Sequence, residues 1–112
     1  MMERRSLEVA GDTWLAEMRG EGPSCRLEFK LDGRTLGPLV TWPGDQPVLA
    51  SGEVTHQEQP REGVGVRWRT KGDVATIAIY YEGRGRAAIR AGVGEIAEWE
   101  VSKGFPMASR SR

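Results

Sequence analysis

Apolar and polar residues alternate along much of the chain with a period of two. Residues 24–31 are the clearest case, because every odd-numbered residue there is apolar and every even-numbered one is polar. Successive side chains of a strand point to opposite faces, so this segment has one apolar face and one polar face. The pattern predicts a half-buried antiparallel strand, and Asp32-Gly33 directly behind it predicts a hairpin turn of type I′.

The same alternation predicts a hairpin in the middle of the chain. Residues 64–70 and 74–82 flank the turn residues Lys71-Gly72-Asp73, and the second segment is rich in β-branched and aromatic side chains. The glycine-rich run 83–86 indicates another turn, after which residues 87–91 form a short strand. This part of the chain is therefore expected to be a run of antiparallel neighbours.

The first half of the chain carries weaker strand patterns. Residues 7–10 and 13–19 flank Gly11-Asp12, which predicts a hairpin at the N-terminus. The pattern also predicts strands at residues 36–42 and 48–54. Nearby prolines restrict these strands to edges, bends or loops, because proline donates no hydrogen bond to a neighbouring strand.

Two segments are compatible with either a strand or a short helix. Residues 12–19 could form a helix with Asp12 as its N-cap, and residues 95–103 carry apolar residues three positions apart. We interpret both as strands, and the helical alternative stays open for each. Residues 57–63 are expected to be an internal loop, and residues 104–112 a disordered tail.

Several short strands between glycine-rich turns predict an all-β fold. We expect a seven- to eight-stranded antiparallel meander that forms a single domain over residues 1–103. The meander could close into a small barrel or pack as a sandwich. Both architectures use a period of two, so the alternation does not distinguish them.

Composition narrows the class of protein. The chain has 112 residues, 38% of them hydrophobic, and 16 basic side chains balance 16 acidic ones. These fractions are ordinary for a globular domain and argue against a disordered chain. No segment has the apolar length of a membrane helix or of a signal peptide, so we expect a cytoplasmic protein. Thirteen Arg against three Lys would be explained by a GC-rich bacterial genome.

The residues that most often carry catalysis are few and scattered. Cys25 is the only cysteine, which excludes an intramolecular disulfide, and its place on an apolar strand face predicts a core residue. His56 is the only histidine and is expected to be solvated, as are Glu95, Glu98 and Glu100. No phosphate-binding loop, nucleophile elbow or zinc-protease motif occurs. The sequence predicts no catalytic, cofactor or metal site and favours a protein that is not an enzyme.

Charge is distributed unevenly along the chain. Residues 61–92 carry seven basic and three acidic side chains, whereas residues 1–60 carry six basic and ten acidic ones. The basic residues of the central part fall on one strand and on the next turn and strand: Arg67, Arg69 and Lys71, then Arg84, Arg86 and Arg90. With Tyr80 for stacking, they could bind an anion or nucleic acid. A solvated face of cross-strand ion pairs is the alternative, and zero net charge argues against nucleic acid.

Trp42 is the remaining candidate, because it lies in a turn-rich segment followed by Pro43-Gly44. An aromatic side chain fixed on a loop suits a protein interface, although Trp42 could instead cap one end of a barrel.

These observations lead to a first hypothesis of a small non-catalytic module that binds a protein partner or self-associates. The candidate binding residues are Trp42, Arg67, Arg69, Tyr80, Arg84 and Arg86. An alternative is a β-barrel that holds a small ligand among Trp14, Trp68, Tyr81 and Trp99. A further alternative is anion or nucleic-acid binding by the arginine-rich sheet face, and an enzyme built on Cys25 and His56 is the least favoured.

Overall fold

The computed structural model describes residues 2–21, 24–42 and 53–106, with only the backbone described for residues 53 and 54. These residues form ten strands: β1 Met2–Val9, β2 Asp12–Glu21, β3 Ser24–Leu31, β4 Arg34–Trp42, β5 Glu53–Arg61, β6 Val64–Lys71, β7 Val74–Tyr81, β8 Arg86–Gly92, β9 Glu95–Ile96 and β10 Glu100–Val101. None of the described residues belongs to a helix that could span a membrane.

The strands form two antiparallel sheets, which confirms the predicted all-β class. The first sheet is a meander in the order β1-β2-β3-β4. The second has the order β10-β8-β7-β6-β5, and β9 pairs with β8 as well. Eight strands are long, and β9 and β10 have only two residues each. Consecutive long strands are therefore neighbours within each sheet, as short connections favour.

The hairpin turns follow local residue chemistry. Asp32 and Gly33 both have positive φ, 50° and 84°, as a type I′ turn requires. The N-terminal turn lies one residue earlier than predicted, at Ala10 and Gly11, so that Asp12 is already the first residue of β2. Asp12 is also buried, on the face of β2 that points toward the second sheet.

Neither ambiguous segment is helical: the first is a strand, and the second contains two strands of two residues each. Residues 12–19 lie in β2, and their register with β1 and β3 runs without interruption. Residues 95–103 contain β9 and β10, which pair with opposite ends of β8 on the same edge. Residues 97–99 between them are outside any strand.

The prediction of a loop at residues 57–63 is wrong, because β5 runs from Glu53 to Arg61. The polar side chains of this segment belong to an edge strand, whose outer face is in water. Pro60 is tolerated there because the register with β6 shifts between Glu58 and Arg61. A similar shift opposite Leu27 and Phe29 accommodates Pro38 in β4. Of the predicted strand 48–54, only residues 53 and 54 are described, and the rest lies outside the described residues.

The C-terminal segment has one buried anchor. Phe105 is 7% exposed, and its ring meets the ring of Tyr81 edge-on at 5.5 Å. Residues 107–112 lie outside the described residues. The single domain over residues 1–103 and the disordered tail from residue 104 stay predictions, although Phe105 itself is packed.

Both sheets contribute to one hydrophobic core. The ring of Trp14 stacks on Phe29 at 5.5 Å, and Phe29 meets Trp68 edge-on at 6.0 Å. The Trp14 Nε1–H donates to the Tyr81 hydroxyl at 3.0 Å. Aromatic residues that could have lined a ligand cavity are therefore in contact with one another, so they fill the interior between the sheets.

The margins of the two sheets are joined by side chains. The Arg5 guanidinium donates to the Ile96 carbonyl at 3.2 Å, and the Ile96 N–H donates to the Glu3 carboxylate at 3.1 Å. On the opposite side, the Gly37 N–H of β4 donates to Glu58 of β5 at 3.1 Å. These bonds satisfy backbone groups at sheet edges without a continuous ladder between the sheets.

A buried carboxylate lies on the outer face of the first sheet. Glu17 is 1% exposed and is surrounded by Arg4 Nε at 2.7 Å, Arg19 Nη2 at 3.1 Å and Lys30 Nζ at 3.5 Å. Burial raises the pKa of the Glu17 carboxyl, but the hydrogen bonds from both arginines and the charges of Arg19 and Lys30 outweigh it. The pKa consequently lies below 4.5, its ordinary value.

The lowered pKa makes the contribution of Glu17 depend on pH. Because the native state binds this proton more weakly than the unfolded state, the contribution is complete above about pH 4.5 and is lost as pH falls through the native pKa. We expect Glu17→Gln to destabilise the protein near neutral pH, with a difference from wild type that narrows in acid. Urea unfolding across pH 3–7 measures it, with exposed Glu62→Gln as the control. A difference that stays constant over this range would contradict the prediction.

Candidate functional site

The outer face of the second sheet brings together most of the predicted basic residues. Arg67 and Arg69 point outward from β6 because their neighbours Val66 and Trp68 face the core. The same alternation turns Arg86 and Arg90 outward on β8 and Tyr80 outward on β7. We call this surface the basic face, defined by Arg67, Arg69, Tyr80, Arg86 and Arg90.

A strip of small side chains separates the arginines of β6 from those of β8. The register places Ala78 of β7 between Arg67 and Ala88, and Thr76 between Arg69 and Arg90. Ala78 and Ala88 are only 6% and 7% exposed although they face outward. Longer side chains around them must therefore overhang the strip, which makes it the floor of a shallow trough.

A groove opens at the β5 side of the basic face. Its volume is about 310 Å³. We call it the Gly65 groove, and its lining is Gln57, Glu58, Gln59, Gly65, Val66, Arg67 and Tyr80. The groove lies where β5 bulges between Glu58 and Arg61 and loses its regular pairing with β6. Gly65 leaves the space open, because a Cβ at this position would have no atom within 4 Å.

Arg67 is held in place at the wall of this groove. Its guanidinium carbon lies 5.7 Å from the centre of the Tyr80 ring, within the range of a cation–π contact. With the Gln57 amide oriented so that its oxygen faces Arg67, that oxygen accepts from Nε at 3.1 Å and Nη2 at 3.2 Å. Arg67 is half-buried between these two partners. Its charge is therefore pre-positioned beside the groove rather than free to swing through solvent.

The remaining predicted arginines surround this arrangement. Arg86 is exposed and pairs in register with Tyr80, on the side of that residue opposite Gly65. Arg69 is exposed and lies two residues beyond Arg67 on β6. Arg84 is exposed in the turn after β7, where its backbone N–H donates to the Tyr81 carbonyl at 2.8 Å.

Trp42 does not belong to this surface. It is 5% exposed and packs in the core, and its Nε1–H donates to the Asp73 carbonyl at 2.8 Å. The expectation of an exposed loop aromatic is therefore wrong. The reason is that β4 continues through Trp42 and pairs it with Cys25, on the inner face of the first sheet. Leu36 and Val40 at even positions already indicated that face, but the prolines obscured it.

Sequence reasoning missed five of the seven residues that line the groove: Gln57, Glu58, Gln59, Gly65 and Val66. The sequence predicts a loop for residues 57–59, so it gives no sheet face for them. Gly65 carried a usable signal, since an isolated glycine within a strand pattern often marks a bulge or a close approach of another group.

A buried polar network links the two sheets elsewhere. Asp12 of β2 accepts hydrogen bonds from the Tyr81 hydroxyl and from Arg61 Nη2, and Tyr81 also accepts from Trp14. Burial and the bond to Asp12 raise the pKa of Tyr81 well above its ordinary value. Asp12 is 3% exposed, so this carboxylate is a structural connection rather than a group that meets solvent.

The residues considered for catalysis have separate structural partners. Cys25 is buried, as predicted, and its Sγ accepts from the Gly94 N–H at 3.2 Å. His56 is exposed, and the centre of its ring lies 5.2 Å from the centre of the Trp68 ring. Glu98 pairs with Arg5 at 2.7 Å. Among the described residues, no group of three or more His, Cys, Asp or Glu side chains could hold a metal ion.

Comparisons with known proteins give no indication of function, so the basic face is the main structural evidence. No protein-family model matches the chain. The searches of curated proteins and of solved structures also gave no match.

Proposed function

We propose that the protein is a small non-catalytic binding module that holds an anionic partner on its basic face. The observation that carries this proposal is the pair of arginine rows on β6 and β8, which flank a strip of small side chains. A guanidinium binds phosphate and carboxylate oxygens through two parallel hydrogen bonds. Arg67 is already oriented by Gln57 and Tyr80, which lowers the entropic cost of using it.

The spacing of the arginines favours an extended partner. Neighbouring strands lie about 4.8 Å apart, so the rows on β6 and β8 are roughly 10 Å apart. Arg86 and Arg90 are four residues apart, which corresponds to about 13 Å along β8. Charges spread over such an area can contact several anionic groups of one chain, whereas a single small ion would meet only one or two of them.

Zero net charge does not weaken this proposal. Charges separated by more than about 8–10 Å in physiological salt are largely screened, so a partner responds to the local face. The outer face of the first sheet has a different character, since Arg4, Arg19 and Lys30 converge on the buried Glu17. On the basic face, Arg90 pairs with exposed Glu100 at 3.8 Å, whereas the partners of Arg67 are the neutral Gln57 and Tyr80. The two outer faces therefore differ in the charge they offer to a partner.

The other hypotheses have less support. Burial of Trp42 removes the aromatic anchor expected for a protein interface or for self-association. Contact among Trp14, Phe29 and Trp68 argues against a ligand cavity inside the fold. A cytoplasmic location stays a prediction.

We also infer that the two sheets form a sandwich rather than a closed barrel. Their hydrogen-bonded orders are separate, and residues of both contribute to one core. Side-chain bonds, such as that from the Gly37 N–H to Glu58, join their margins. In a barrel of this size a continuous ladder would close the sheet and leave no edge.

The proposal predicts salt-dependent binding that the arginines of the basic face control. We expect fluorescein-labelled single-stranded DNA or poly-glutamate to bind at 50 mM salt and to weaken as salt rises. Arg67→Ala combined with Arg86→Ala should weaken binding at least tenfold, because two direct charge contacts are lost. Fluorescence anisotropy measures both effects.

The matched control removes the same charge from the first sheet, as Arg26→Ala with Arg34→Ala. Both of these arginines are exposed and lie outside the basic face. An equal loss in the control would show that net charge rather than the basic face determines binding. Absence of binding to both polyanions at 50 mM salt would overturn the proposal.

A further inference from the structure

We propose that the anionic partner is a single-stranded nucleic acid and that the Gly65 groove receives one of its bases. This inference rests on the proposed function, because the arginines of the basic face would hold the phosphates on either side of that base. It adds a specific subsite to a surface that would otherwise bind any polyanion.

The shape of the groove suits one planar group. Its volume of about 310 Å³ is at the lower limit for small-molecule sites. Gly65 forms an open floor between the side chains of β5 and Tyr80, since no atom lies within 4 Å of the position its Cβ would take. A flat ring can therefore enter between these side chains without displacing a packed one.

One wall of the groove provides a stacking surface. Arg67 lies over the Tyr80 ring there, with its guanidinium carbon 5.7 Å from the ring centre, so a base would stack on the guanidinium plane or on the ring face that Arg67 leaves open. Nucleic-acid bases stack on tyrosine rings and on guanidinium planes, and this contact tolerates any base. Because Arg67 is held by Gln57, this wall keeps its arrangement before a ligand arrives.

The opposite wall has the polar groups that a base edge needs. Gln57 and Gln59 carry amides, which both donate and accept hydrogen bonds. Bases present donors and acceptors together on one edge, so they match such a wall. An acidic peptide matches less well, because its carboxylates only accept hydrogen bonds and offer no flat ring to stack on the wall formed by Tyr80 and Arg67. The lining therefore favours nucleic acid over an acidic protein segment.

Arginines on both sides of Tyr80 would hold the backbone of the strand. Arg86 lies beside Tyr80 on β8, and Arg69 lies beyond Arg67 on β6. A base enters the groove only when it is turned out of its stack, which costs least in a single strand. Duplex DNA could contact the arginines but would leave the groove empty.

The test compares two 12-residue oligonucleotides that differ only in their bases. One is fluorescein-labelled single-stranded oligo(dT), and the other is an abasic strand with the same sugars and phosphates. We expect wild type to bind the base-bearing strand at least fivefold more tightly than the abasic strand at equal salt. Fluorescence anisotropy gives both dissociation constants, and oligo(dA) and duplex DNA complete the series.

Two variants connect the preference to the groove. Gly65→Val fills the open floor with a residue that strands favour, and Tyr80→Ala removes the stacking surface. Each should bring the ratio of the two dissociation constants close to one. Gly92→Val is the matched control, because it makes the same change at a strand glycine of β8 that has no positive φ and lies outside the groove lining. Circular dichroism melts verify that each variant is folded.

The outcomes separate this inference from the proposed function. Equal binding of the base-bearing and abasic strands by wild type overturns the base subsite and leaves a general polyanion-binding face. Binding of poly-glutamate without binding of either oligonucleotide also overturns it, since the partner would then be an acidic protein segment. If no polyanion binds, both proposals are wrong.

Discussion

Trp14→Ala is expected to lower the free energy of unfolding by about 3–5 kcal/mol, the usual cost of removing a large aromatic side chain from a packed core. Trp14 is fully buried, stacks on Phe29 and lies at 6.5 Å from the Tyr81 ring. Its indole also donates to the Tyr81 hydroxyl, which is part of the network around Asp12. The substitution therefore creates a cavity and removes a hydrogen bond between the sheets.

Two companion variants separate these contributions. Trp14→Phe keeps most of the aromatic volume but has no N–H, so its smaller loss measures the hydrogen bond together with a small cavity. Trp99→Ala removes the same side chain from a half-buried position and should cost less than Trp14→Ala. Urea unfolding followed by far-UV circular dichroism avoids the loss of tryptophan fluorescence. An equal effect of Trp14→Ala and Trp99→Ala would show that Trp14 is not central to the core.

Gly37→Ala is the second substitution with a large expected effect, about 2–5 kcal/mol, because backbone strain of about 1–2 kcal/mol adds to an overpacking cost of about 1–3 kcal/mol. Gly37 has a φ of 62°, which is unfavourable for any residue with a Cβ. A Cβ here would lie 2.3 Å from the Trp68 ring, which is itself buried against Phe29. The ring has no room to move away, so the backbone of β4 must shift.

Gly72→Ala is a closely matched control for this prediction. Gly72 has a φ of 61°, but a Cβ there would meet no atom within 4 Å. The control therefore reports the backbone strain alone, and the difference between the two alanine variants reports the clash with Trp68. Thermal and urea unfolding of both proteins measure that difference. Identical losses would show that Trp68 adapts without cost.

Gly37 also connects the stability of the fold to the Gly65 groove. Its N–H donates to Glu58, and Glu58 lines the groove on the β5 side. A shift of β4 would therefore loosen the part of β5 that carries Gln57 and Gln59. The edge between β4 and β5 supports the groove through this bond from a backbone N–H to a side chain, although Gly37 itself is not in the groove lining.

Much of the fold could be predicted from local patterns. The alternation in residues 24–31 and 64–82 is regular enough to predict their strands, the turn at residues 71–73 and the burial of Cys25. The polar face of the second hairpin also placed Arg67, Arg69 and Tyr80 together. Side-chain direction alternates with every residue of a strand, so a strand pattern determines which residues share a face.

The errors have a common physical cause. Polar residues and Pro60 predict a loop at residues 57–63, yet residues 57–61 belong to an edge strand with a bulge, which accepts both features. Trp42 was expected on a loop because Pro43 follows it, yet its pairing with Cys25 turns it into the core. In both cases the outcome depended on a partner strand that local sequence does not reveal.

Local patterns were enough to predict the all-β class, the main hairpins and the residues that share each strand face, because these depend on alternation and turn residues close together in the chain. The surfaces that these faces form became known from the three-dimensional structure. It joined β5 to β6 with a bulge that opens the Gly65 groove, and it brought Asp12 to Tyr81 and Arg61. These arrangements depend on pairing and packing between residues that are distant in sequence, where no local pattern carries the information.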